Sequence, residues 1–378
     1  MARKIFNVFD ELKKLADEAG VNLAEEYPTV PTPELRTDAK KGTQYLGKGS
    51  DPLNEAFYKA RLTAQKDIDA GNYDPFFPVD QRYHVDPTNY PLTGNTQVDT
   101  LPKKAETLAK NREKLDTQAG RDALNRAFDA RADDPGFANW YAMGQLEEEF
   151  IKTFGEDLGR KMFKERFADA MAATTGGMSP ELNLIAAQYG NFMKERGLRF
   201  PEQSFDIASP VRGPYIGGNA RMYNQVINDE QALSAAQQPK RFNFSANFLG
   251  HRMPATIDEQ MSKGMTGGKL SAPPSSGGGY SIMENMVIEE AGKRGLPGSG
   301  FQDVAWAGFK NMQKSMPMVQ VVNEAIERTA RVMGMKPAEV FENYKRGMPL
   351  YGATGIAVAN FDEISGALSA MGQEQGAN

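Results

Sequence analysis

The sequence predicts an all-α fold. Apolar residues return at three- and four-residue spacings through most of residues 135–347. Helix openings built from a cap, a proline and an acid recur, as in Ser179-Pro180-Glu181. A brief alternation at Phe242–Phe248, which also fits a short strand, is the exception to an otherwise helical pattern. The expected layout is an N-terminal helix over 1–20, an extended proline-rich arm over 21–102 and a charged helix over 103–134. A helical globule over 135–347 and a glycine-rich tail over 348–378 follow.

The N-terminal helix places Ile5, Phe9, Leu12 and Ala16 on one stripe and ends at Gly20. Prolines then punctuate the chain to Pro102, with one helix expected between Pro52 and Ala70, where Asp51-Pro52 supplies a cap and a first-turn proline. Tyr73, Phe76, Phe77, Tyr83 and Tyr90 are too many large apolar anchors for a disordered tail. They predict an arm laid along its own globule or docked on another chain. From 103 to 131 basic and acidic residues alternate around a narrow stripe of Leu108, Leu115, Leu124 and Phe128, the pattern of one helix with a solvated face.

In the globule, GFANWYAMGQLEEEFIKTFG predicts a helix with Trp140, Met143, Leu146, Phe150 and Ile151 inward. GRKMFKERFADAMAATTGG predicts a second and the Ser179–Arg196 stretch a third, with Asn183 packing or capping rather than ligating. Residues 197–220 read as loop; GPYIGGNARMYN lacks the spacing of a phosphate-binding loop. Stripes through Met283, Met286, Val287 and Ala291, through Phe301, Val304, Ala305 and Phe309, and through Val319, Val322 and Ile326 predict three later helices. A fourth starts at Pro337. Many of the nineteen methionines fall on these inward faces and read as core filler.

Composition bounds the chemistry. Forty per cent hydrophobic and 25% charged residues describe a folded, soluble protein. The net charge of −5 argues against tight nonspecific DNA binding through overall charge. Without cysteine there is no disulfide, thiolate metal site or cysteine nucleophile, and two histidines do not make a histidine-rich metal site. No metal or other cofactor is expected. The N-terminus lacks the apolar core of a signal peptide and no run of eighteen apolar residues occurs, so neither ordinary export nor a membrane span is expected.

The central stretch is Lys240–Lys263, KRFNFSANFLGHRMPATIDEQMSK. Phe242, Ala246 and Leu249, with Phe244 and Phe248 beside them, predict a largely buried helix that Gly250 ends. After a short loop, Thr256 and Glu259 have the spacing of a capping box, which puts Asp258 in the first turn of the next helix. A lysine opening one buried helix, a glycine ending it and an aspartate at the next helix start resemble the helix-hairpin-helix (HhH-GPD) DNA glycosylase superfamily. With AATTGGMSPELNL upstream and GSGFQDVAWAGFK downstream, residues 168–315 also resemble bacteriophage proteins, some of them segments of very large chains thought to travel inside virions. The resemblance implies that Lys240 is a Schiff-base nucleophile and that Asp258 assists it and stabilises the sugar cation. Arg241, Arg252 and Lys263 are then the candidate DNA contacts. Where the family has a glycine-rich hairpin this chain has Ala235-Ala236-Gln237-Gln238-Pro239, and Pro239 removes a backbone donor.

Two functions follow from the resemblance. One is a phage DNA-binding protein that excises a base through a lysine Schiff base, as a DNA glycosylase/AP lyase. The other is a noncatalytic virion protein, structural or internal, that uses the globule as a packing unit and residues 21–102 to join other virion proteins. Either implies residence in the virion or the infected-host cytoplasm.

Overall fold

The computed structural model describes residues 84–92, 105–134, 136–200, 202, 216–275, 278–313, 315, 317–348 and 350. The expected helices at 1–20 and 52–70, the anchors Tyr73, Phe76, Phe77 and Tyr83, and nearly all of the tail lie outside these residues. Among the described residues the fold is all-α and no strand occurs. Phe242–Phe248 is helix, not strand. None of the described helices is long and apolar enough to cross a membrane.

The chain divides into two compact units: unit 1 from Met1–Lys59, Thr174–Asn228 and Val322–Asn378, and unit 2 from Ala60–Ala173 and Asp229–Val321. The 135–347 stretch thus contributes to both.

In unit 2, Asp86 opens a short 3-10 turn at Pro87–Asn89 by accepting from Thr88 N at 2.9 Å. Val85 and Tyr90 on either side are buried. Tyr90 donates its hydroxyl to Glu147 Oε1 at 2.5 Å, so this part of the 21–102 stretch is fastened to its own unit. The charged stretch forms two helices rather than one, α1 (Ala105–Leu115) and α2 (Gln118–Asp129). Thr117 starts the second, its hydroxyl accepting from Gly120 N at 3.1 Å. As the stripe predicts, Leu124 and Phe128 of α2 are buried while Asp122, Arg126 and Asp129 are exposed, and Arg121 pairs with Asp116, Glu289 and Glu290 at 2.7–2.8 Å.

A 3-10 turn at Phe137–Asn139 precedes α3 (Gly144–Phe154), which therefore starts later than its hydrophobic pattern suggests. Next, α4 (Glu156–Phe163) runs without a break through a π-helical stretch, Lys164–Asp169, into α5 (Ala170–Thr174).

Unit 1 then takes over with α6 (Pro180–Lys194), capped by Ser179 with Pro180 in the first turn. Asn183 packs, as expected, by accepting from the Thr174 hydroxyl at 2.7 Å. The loop expected over 197–220 instead ends in α7 (Ile216–Tyr223), which continues as a π-helical stretch, Asn224–Asn228. Tertiary contacts outweigh the weak helix propensity of Gly217-Gly218. Asn219 Nδ2 donates to Gly176 O at 2.9 Å, and Tyr223 donates to Asn191 Oδ1 at 2.7 Å.

The chain returns to unit 2 with α8 (Pro239–Phe248), α9 (Glu259–Thr266), α10 (Gly279–Lys293) and α11 (Gly298–Phe309). Helices α12 (Met318–Met333) and α13 (Pro337–Lys345) follow.

Two apolar groups hold unit 2. Leu124 and Phe128 of α2, Met286 and Val287 of α10, and Phe301 and Val304 of α11 pack in one core, where Phe128 stacks on Phe301 at 4.6 Å. Gly308 lets α11 lie directly on the Ala127 carbonyl of α2, in space that a Cβ would occupy. The second group is aromatic: Phe248 meets Phe167 and Phe244 at 4.9 Å, Tyr141 at 5.1 Å and Trp140 at 5.7 Å. A fully buried phenylalanine contributes about 1.5–3 kcal/mol, so this cluster anchors α8 strongly.

Candidate functional site

The site is built where α8 begins and the loop from α8 to α9 ends. Pro239 opens α8 with its fixed φ and missing N–H, leaving Lys240 in the first turn. Lys240 is half-buried. Among the described residues its ammonium has no hydrogen-bond or ion-pair partner. Burial pulls it below the usual lysine range; Asp258 and Glu259 oppose that shift and Arg241 adds to it. The positive end of the α8 dipole acts in the same sense as burial.

At its other end α8 stops at Leu249, and Gly250 takes a φ of 88°. A side chain at Gly250 would also strike the Val85 carbonyl, so two constraints require glycine there. Asn247 then folds the loop. Its Nδ2 donates to His251 O at 2.8 Å and Pro254 O at 2.9 Å, while its Oδ1 accepts from the Thr256 hydroxyl at 3.0 Å.

That last bond corrects the expected capping box. Thr256 is held by Asn247, and Asp258 itself caps α9, its Oδ1 accepting from Met261 N at 2.9 Å. The second oxygen, Oδ2, accepts from Trp306 Nε1 of α11 at 2.8 Å. Asp258 is thereby fixed from two directions, close enough to Lys240 to influence its ionisation.

The three expected DNA contacts are all engaged within the fold. Arg241 donates to the Ala173 carbonyl, and burial lowers it to about 10. Arg252 donates to Ala138 O at 3.3 Å. Lys263 pairs with Glu259 one turn earlier on α9.

Beneath the pair lies a buried polar layer that periodicity did not single out. Asn243, one turn after Lys240 on α8, donates to Glu284 Oε1 of α10 at 2.8 Å, and Ala255 N donates to the same oxygen at 3.0 Å. Tyr280 of α10 accepts from Ile257 N at 3.0 Å. Burial raises the Glu284 carboxyl to about 8 despite those two hydrogen bonds.

On the far side of the loop a small pocket is lined by His84, Tyr141, Asn247, Arg252, Ser299 and Asp303, among others. Burial lowers His84 to about 4, with Arg252 adding to the effect. Burial raises Asp303 well above the carboxylate range while Arg252 opposes it, and among the described residues Asp303 Oδ2 has no hydrogen-bond partner. One sequence signal was available: Glu284 interrupts the apolar stripe of Met283, Met286 and Val287. Trp306 carried none, because an indole beside an apolar stripe reads as core.

Chemically, the arrangement offers a partly desolvated amine beside a fixed carboxylate. Among the described residues no group of three or more histidines, cysteines or acids could hold a metal ion. No family model, curated protein or solved structure matches the chain.

Proposed function

We propose that this chain is a bacteriophage protein of the helix-hairpin-helix DNA glycosylase type, acting on DNA as a lysine-based glycosylase/AP lyase. The observation that carries the reading is the half-buried Lys240, without a hydrogen-bond or ion-pair partner among the described residues, beside the doubly anchored Asp258. An amine nucleophile must be neutral, and burial in the first turn of α8 favours the neutral form. In the proposed step the target nucleotide leaves the stack and Lys240 Nζ attacks its sugar C1′. The C1′–N bond breaks and its electron pair leaves with the base. The Asp258 carboxylate balances positive charge on the sugar; the nitrogen then gives up its two protons, one to the departed base and one to O4′ as the C1′–O4′ bond opens, and the C1′=N imine forms.

A noncatalytic role in the virion is the second reading, with the 21–102 stretch as its assembly element. It is favoured by the net charge of −5 and by the engagement of Arg241, Arg252 and Lys263 in the fold. Both readings have the protein act in the virion or in the infected-host cytoplasm.

Borohydride trapping with abasic-site DNA decides between them. Wild type should form a covalent adduct, Lys240→Ala should form none, and Asp258→Asn should slow base release on any substrate found by roughly 100-fold or more. Equal trapping by wild type and both variants sinks the catalytic reading, because another amine is then reacting.

A further inference from the structure

The geometry points to Glu284 as the positioning residue of the Lys240–Asp258 pair, one buried carboxyl that holds the helix bearing the lysine and the loop bearing the aspartate. The inference rests on the proposed pair as the working site. Lys240 and Asn243 are three residues apart on α8 and share a face of that helix. Asn243 Nδ2 donates to Glu284 Oε1 at 2.8 Å, so the orientation of that face is tied to α10. The same oxygen accepts from Ala255 N at 3.0 Å, three residues before Asp258. Tyr280, one turn before Glu284, adds a second tie to the loop by accepting from Ile257 N at 3.0 Å. Helix α10 therefore braces two side chains it does not carry, alongside the direct bond from Asn243 Nδ2 to Ala255 O at 3.0 Å and the bonds of Asn247.

Glu284 is fully buried, and among the described residues neither its Oε2 nor the neighbouring Asn243 Oδ1 has a hydrogen-bond partner. A carboxyl so placed favours its neutral form. Burial raises it to about 8, a value where an ionisation is readily followed. The titratable group beside it is Tyr280 on its own helix, whose phenol burial raises well above the usual range, with Glu284 and Asp258 adding to the shift. From α8 it faces the neutral Asn243 and from the loop the Ala255 amide. When Glu284 loses its proton, the ties to Asn243 and Ala255 tighten around a buried charge, and the setting of Lys240 against Asp258 changes. The site is thus coupled to the ionisation of a group that does not touch it.

The test reads Lys240 directly in the full chain. Lysines are reductively methylated with 13C-formaldehyde, and the Lys240 signal is identified as the one missing in Lys240→Arg. In wild type this signal should show an inflection near pH 8 in addition to its own titration. Glu284→Gln keeps an acceptor for Asn243 and Ala255 and cannot ionise, so the inflection near pH 8 should disappear. Glu284→Leu removes both of its ties but leaves Asn243 Nδ2 on Ala255 O, so the Lys240 titration should shift relative to wild type; should that variant fail to fold, the glutamine comparison decides. A wild-type signal without the inflection, or one that persists in folded Glu284→Gln, overturns the inference. Failure of DNA trapping alongside the expected titrations removes the catalytic reading alone. Trapping without the expected titrations removes the Glu284 inference alone.

Discussion

Replacing Glu284 by glutamine should change how stability depends on pH, by an amount the structure supplies. The carboxyl is fully buried, and its pKa rises from 4.5 to about 8. Between those values the unfolded chain carries an ionised glutamate and the folded chain a protonated one. Folding takes up a proton in this window, so stability falls as pH rises through it. The contribution is complete below about 4.5 and gone above about 8. At about 1.4 kcal/mol per pKa unit, the span corresponds to about 5 kcal/mol. Glutamine keeps an acceptor for Asn243 Nδ2 and Ala255 N but has no proton to lose. The assay is urea unfolding of both proteins at several pH values from 4 to 9. Other titrating groups are common to both and cancel in the difference. Relative to wild type, Glu284→Gln should gain stability steadily across the window. A difference between the two proteins that stays constant over the whole range would refute the assignment of a neutral, buried Glu284.

Two further outcomes test the packing around the site. Gly308→Ala puts a methyl group into the Ala127 carbonyl where α11 lies on α2, and should destabilise unit 2 by about 1–3 kcal/mol in urea unfolding. A neutral result there would mean that the two helices separate freely. Tyr90→Phe removes the donor to Glu147 Oε1 and leaves that buried carboxyl, among the described residues, with Arg160 at 3.7 Å as its charged partner. It should cost about 1.5–3 kcal/mol, the range for a hydrogen bond to a charged group, and speed proteolysis within residues 84–92.

How much of this was legible depended on the range of the interaction. The α6 start at Ser179-Pro180-Glu181 uses contacts within one turn, and the structure has it as expected. The end of α8 at Gly250 is equally local, because a positive φ there is a property of the residue. The opening of α9 was placed to within two residues, but its cap was assigned to Thr256. The error arose because Asn247, nine residues away, competes for the Thr256 hydroxyl. The break at Thr117 was hidden because alternating charge continues across it, and α7 because two glycines weigh against a helix in the absence of their neighbours. Trp306 reaches Asp258 across 48 positions in the chain, and Glu284 reaches Asn243 across 41. No periodicity within a helix encodes such bonds, although an acid within an apolar stripe marks one end of the second.

The order in which unit 2 is assembled has a consequence for synthesis. Its Ala60–Ala173 part leaves the ribosome first, and residues 174–228, which belong to unit 1, must follow before Asp229–Val321 appears. At about 5–20 residues per second, the intervening residues alone take roughly 3–10 s. During that interval the nascent chain has made α2, Trp140, Tyr141 and Phe167, whose packing partners Phe301, Phe244 and Phe248 do not yet exist. An emerging chain in this state exposes apolar surface that the finished protein covers, the condition under which a partly made domain is prone to aggregate. Lys240 is translated before Trp306, so the amine is present on the nascent chain before the indole that fixes its carboxylate neighbour.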